Sequence, residues 1–120
     1  MTTQAGKEPT IEELDTAVAM LKLLADRTRL LIVWALLHGE HSVGELAEHV
    51  GVAVPAVSQH LAKLRLAHLV RTRRDGTRIY YEAESDHALR LVTEALFHAE
   101  HVTSANPQHH RTQASRSRAS

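Results

Sequence analysis

Residues 42–82 read SVGELAEHVGVAVPAVSQHLAKLRLAHLVRTRRDGTRIYYE, and the fold follows from this stretch. Ser42 with Glu45 three residues on is a capping box, opening a short helix through Leu46, Ala47 and Val50 that stops at Gly51. Pro55 sits where a first helical residue tolerates proline, and Val57, Leu61, Leu64 and Leu66 supply the buried stripe of a second helix. Two short helices separated by residues 51–54 make a helix-turn-helix. The runs 69–74 and 77–82 then flank Asp75-Gly76, a turn signal between two β-capable segments, and predict a β-hairpin.

Working outward, Thr10 and Glu13 form another capping box ahead of Ile11, Leu14, Val18, Leu21 and Leu24, which predicts an amphipathic helix over 11–25. Residues 26–28 break it, and a more thoroughly apolar helix over 30–37 ends before Gly39. After the hairpin, Leu89, Val92, Leu96 and Phe97 mark a last helix over 86–102. The organisation is a flexible start over 1–10, one domain over 11–102, and a polar, flexible tail over 103–120. The expected fold class is mainly α with a β-hairpin wing, a winged helix-turn-helix.

The chain has 120 residues, 43% of them hydrophobic but only 3% aromatic, so its core must be aliphatic and suits packed helices. With no cysteine, disulfides and thiolate metal sites are excluded, and any metal must use nitrogen and oxygen. No apolar run reaches membrane-spanning length and the start lacks a leader pattern, so a cytoplasmic protein with no membrane partner is expected. An enzyme would need a nucleophile elbow, an HExxH pair or a glycine-rich phosphate loop; none is present, and no small-molecule substrate is expected.

The formal net charge is zero, yet the charges are segregated. Between Pro55 and Arg78 stand Lys63, Arg65, Arg71, Arg73, Arg74 and Arg78 against Asp75 alone, which points to double-stranded DNA as partner. On the second helix of the helix-turn-helix, Ala56, Ser58, Gln59, His60 and Lys63 remain once the apolar stripe is buried. Gln59 has the chemistry to pair with an adenine edge, and Ser58 and His60 to reach bases or phosphate. Arg71, Arg73, Arg74 and Arg78 lie on the hairpin, where a wing meets phosphates or the minor groove.

Residues 24–82, with the LADRTRL opening, the VSQHLAKLR helix and the LVRTRRDGTRIYY hairpin, resemble the ArsR/SmtB family of bacterial metal-sensing repressors. The resemblance implies a homodimer through the first and last helices, binding of a pseudo-palindromic operator without metal, and release when metal binds. The thiolate site of some members has no counterpart, since Ala47 stands where cysteine is expected. The other family site lies between the last helices of the two protomers, where this sequence carries His87, His98, Glu100 and His101.

His87 and His98, eleven residues apart, return to nearly the same helical face but stand roughly 16 Å apart along the axis, too far for one ion. An antiparallel two-fold pairing brings His87 of one chain beside His98 and His101 of the other. The pattern departs from the zinc-type members, which carry Asp two residues before the first His; here that position is Ser85. Glu100 and the tail pair His109 and His110 are candidates to complete the shell, an arrangement that resembles the nickel/cobalt-sensing actinobacterial members. Such an N/O set suits octahedral Ni2+ or Co2+ better than tetrahedral Zn2+, which stays open as an alternative. His38, His41, His49 and His68 are read as structural or surface residues. Two other readings fit the same residues: a winged-helix regulator that senses no metal, and a protein interaction module.

Overall fold

The computed structural model describes residues 6–105. Its elements are α1 (Ile11–Leu24), α2 (Arg27–Leu37), α3 (Val43–Val50), α4 (Val54–Leu66), β1 (Val70–Asp75), β2 (Arg78–Ala83) and α5 (Asp86–Ser104). Both capping boxes form as expected, Thr10 with Glu13 and Ser42 with Glu45, each pair exchanging side-chain and backbone bonds. α3 ends on Gly51, which takes the left-handed conformation (φ 71°) that lets its N–H reach the Ala47 carbonyl.

Several boundaries move relative to the sequence reading; α5, for one, runs to Ser104, two residues into the stretch expected as tail. α2 begins at Arg27 rather than Leu30, because the Asp26 carboxylate accepts from the Arg29 N–H and caps the helix where a break was expected. α4 starts at Val54, which puts Pro55 at the second helical position, still inside the turn whose N–H groups need no helical partner. The hairpin closes on Asp75 paired with Arg78, so the loop is Gly76-Thr77 and not Asp75-Gly76. Gly76 has φ 64° and Thr77 is not among the positive-φ residues, the signature of a type II′ turn with glycine at its first central position.

α2 is central and touches every other helix and β2. The core is aliphatic, as composition requires: Ile32, Val33, Leu46, Val57, Leu61, Leu64, Val70 and Val92 are all but sealed from solvent. Trp34 is half-buried at its edge, with the rings of His38 and His49 at 4.4 and 5.9 Å. The α4–β1 junction is a Schellman motif, with Leu69 N–H bonding the Leu64 carbonyl and His68 N–H the Arg65 carbonyl. It forces His68 to φ 61°, the one non-glycine residue at positive φ among the described residues. A further connection was not foreseen: His41 pairs as a single-residue bridge with Tyr81, fastening the α2–α3 loop to β2.

The apolar stripe of α1 finds little to cover it within one chain. Only Leu24 is buried, while Ile11 (79% exposed), Leu14, Val18 and Leu21 stand open, as does Phe97 of α5 (65% exposed). No helix among the described residues is long and apolar enough to cross a membrane.

Candidate nucleic-acid interface and metal-ligating face

α4 buries Val57, Leu61 and Leu64 but not Leu66, which stands 83% exposed, and at about 100° per residue this leaves Ser58, Gln59 and Lys63 exposed on its outer side. Ala56 and His60 are half-buried on one flank, toward α2. There His60 has a partner that the sequence did not show: Arg29 Nη1 lies 3.1 Å from its Nδ1. Arg29 also donates from Nε to the Leu23 carbonyl at 2.6 Å, at the end of α1. Asp26 beside it is held below the usual carboxylate range, chiefly by the bond from the Arg29 N–H; burial opposes this, and the charges of Arg29 and His60 and a bond from the Thr28 N–H add to it.

The wing arginines divide by strand alternation. Arg71, Arg73 and Arg78 share one face of the ribbon with Tyr80 and Glu82, and Arg74 lies on the other with Ile79. Arg71 donates from Nε to Glu82 at 3.0 Å. Arg73 forms a two-pronged ion pair with Glu40, its Nε bond 2.9 Å long and its Nη2 bond shorter. The Arg73 guanidinium also lies 5.1 Å from the Tyr80 ring centre. That pairing holds the Glu40 carboxyl below the usual glutamate range. Among the described residues Arg74 and Arg78 form no salt bridge, although the Arg78 guanidinium lies 5.8 Å from the Tyr80 ring centre and, after the bond from the Ser42 N–H, its charge helps hold the Glu45 carboxyl below the usual range.

α5 packs through Ala88, Leu91, Val92 and Leu96. Counting about 100° per residue, His87, His98 and His101 fall together on one exposed side, which Leu91 borders toward the core. Glu94 shares that face and was missed, although the count that grouped the histidines includes it. Glu100, exposed, lies about 100° round from His101. His87 Nδ1 lies 3.2 Å from Arg90 Nη2. Ser85, which stands where the zinc-type members carry Asp, has a structural task as N-cap of α5, its Oγ facing the Ala88 N–H at 3.5 Å. Among the described residues of one chain no three His, Asp or Glu come together as a metal site. The nitrogen and oxygen donors suit a divalent transition ion, but α5 alone spreads them too far along its axis to close on one. His109 and His110 lie outside the described residues.

Helix-turn-helix, arginine-bearing hairpin and flanking helices define a winged helix-turn-helix DNA-binding regulator. The family model for bacterial regulatory proteins of the arsR family matches residues 26–72. The HTH-type transcriptional regulator KmtR of Mycobacterium tuberculosis is 55% identical over 94 residues, 78% of this chain and 72% of that protein. Among solved structures, the homodimeric winged helix-turn-helix DNA-binding domain of Mb0332 from Mycobacterium bovis superposes with a TM-score of 0.71 at 32% identity, covering 81% of this chain and 91% of that one. The AntR antimony-specific transcriptional repressor does so with a TM-score of 0.73 at 32% identity, covering 82% and 90%. The chain belongs to the ArsR family of bacterial transcriptional regulators, and its relatives are regulators rather than enzymes.

Proposed function

We propose that this chain is a homodimeric, metal-responsive repressor that holds a pseudo-palindromic operator in its metal-free form and releases it on binding Ni2+ or Co2+. The observation that carries the metal reading is the grouping of His87, His98 and His101 on one exposed face of α5. A helix that groups three imidazoles with Glu94 on one exposed face, next to an uncovered Phe97 and the open stripe of α1, is suited to pair with a second copy of itself. Antiparallel pairing of two α5 helices sets His87 of one protomer beside His98 and His101 of the other, with Glu100, His109 and His110 as further oxygen and nitrogen donors. A bound ion supplies a cross-link between protomers that favours one dimer shape over another.

DNA contact is assigned to Ala56, Ser58, Gln59, His60 and Lys63 of α4 in the major groove. Arg74 and Arg78 of the wing contact phosphate, with Arg71 and Arg73 available once their carboxylate partners let go. The test is a cobalt titration followed by absorption together with DNA binding in the same samples. Weak d–d bands of a six-coordinate ion, and release of DNA that a chelator reverses, are expected. DNA binding that ignores metal and chelator alike would leave a winged-helix regulator without metal sensing.

A further inference from the structure

Arg29 stands at a junction of three helices and reaches into each of them. Its backbone N–H goes to Asp26 at 2.9 Å, its Nε to the Leu23 carbonyl at the end of α1, and its Nη1 to Nδ1 of His60 in α4. A guanidinium has donors only and keeps its charge throughout the accessible pH range. The ring nitrogen facing it must therefore be the acceptor, and a neutral imidazole that accepts at Nδ1 carries its proton at Nε2.

We propose that Arg29 is a positioning residue for DNA recognition: it locks His60 into the Nε2–H tautomer, so that α4 offers a ring N–H donor, and it ties the setting of α4 to the end of α1. This rests on the DNA-binding reading above. The tautomer decides what His60 reads. An N–H donor matches a phosphate oxygen, a purine N7, guanine O6 or thymine O4, and rejects the amino groups of adenine and cytosine. With Arg29 gone, both tautomers are open and His60 accepts as readily as it donates. The tie to Leu23 gives the same side chain a second consequence: a change in the angle of α1, whose apolar stripe is open in the single chain, pulls directly on the donor that holds His60.

The test uses the full-length chain in two measurements. Long-range 1H–15N correlation spectra of the imidazoles, taken where His60 is neutral, should show the Nε2–H pattern in the unsubstituted protein and in Arg29→Lys, which keeps a donor. Arg29→Met should show the averaged pattern of two tautomers. An Nδ1–H pattern in the unsubstituted protein overturns the proposal without any variant having to fold.

Selection from a randomised duplex library then compares the unsubstituted chain with Arg29→Met, His60→Ala and the double variant. Preference at one base pair of each half-site should relax by roughly fivefold in either single variant, the worth of one hydrogen bond, and no further in the double. Uniform loss of affinity with every base preference intact would reduce Arg29 to a structural role. Failure of the unsubstituted chain to enrich any duplex would overturn the DNA-binding reading, and the DNA half of this proposal with it, while the tautomer spectra still decide the Arg29–His60 lock.

Discussion

Glu40 holds Arg73 by two parallel hydrogen bonds, one residue before the His41–Tyr81 bridge that fastens the same loop to the wing. A bidentate carboxylate occupies the guanidinium as a phosphate would. Glu40→Gln should therefore free Arg73, raise affinity for duplex DNA and steepen the salt dependence by roughly one counterion. Arg73→Ala should cost less than Arg74→Ala or Arg78→Ala. Anisotropy titrations across a salt series check both, and an Arg73→Ala loss equal to that of Arg74→Ala would mean that DNA dissolves the pair.

The pair also has a pH signature. Arg73 holds the folded-state pKa of Glu40 below its unfolded value, so folding gains from the pair above the ordinary glutamate range. That gain is lost as pH falls from that range through the depressed value. Glu40→Gln should flatten this part of the stability profile, as read by urea unfolding at successive pH values.

Local signals in the sequence carried most of the fold. Capping boxes at Thr10 and Ser42, the glycine stop at Gly51 and the hairpin act within a few residues, and each formed. Asp26 is equally local, but its cap lies only two residues past the end of α1, so in the sequence it looks like a break. What was illegible is what depends on distant partners: Glu40 and Arg73 lie 33 residues apart, Arg29 and His60 31 apart. The arginines of the wing could be counted from sequence, but not which of them were already paired. For the metal face, helical spacing grouped the histidines, and the same count would have added Glu94.

His68 takes the left-handed conformation at the end of α4, where a Cβ costs energy and glycine does not. Its side chain is 82% exposed and its one carboxylate neighbour, Glu84, is 3.6 Å away, a weak contact in water. His68→Gly should raise stability by about 0.5–1 kcal/mol, seen as a higher urea midpoint with an unchanged slope. A lower midpoint would mean that the imidazole contributes more than the strain it bears.

Leu61 and Leu21 separate fold from assembly. Leu61 is fully buried under α4, and Leu61→Ala should cost about 2–5 kcal/mol of stability. Leu21 is half-exposed on the open stripe of α1, and Leu21→Ala should leave single-chain packing intact while weakening self-association. Sedimentation at several concentrations alongside thermal unfolding distinguishes the two. A Leu21→Ala chain that associates like the original would place the interface elsewhere.

On the proposed reading, His87 would have to give up its Arg90 contact to bind a metal through either ring nitrogen. Ligation at Nδ1 displaces the guanidinium, and ligation at Nε2 puts a proton on Nδ1, where it meets another donor. Arg90→Met should thus tighten nickel binding by roughly twofold to threefold, the worth of an exposed contact. Weaker binding in this variant, measured by competition with a chelating dye, would show that Arg90 supports the site.

Coupling between metal and DNA must be reciprocal: if nickel weakens DNA binding, DNA weakens nickel binding by the same factor, typically about 1–3 kcal/mol. The share of the tail can be separated from that of α5 because the helix runs to Ser104, so truncation after Ala105 removes His109 and His110 without cutting it. The truncated chain should bind DNA as before, bind nickel more weakly and show stronger cobalt bands from fewer ligands. His98→Ala with His101→Ala should abolish the metal response with the tail in place, because those two imidazoles lie on the outer face of α5 that two protomers would share. If the truncated chain bound nickel and released DNA like the full one, the tail would be a bystander, and four-coordinate zinc held by α5 would become the better account.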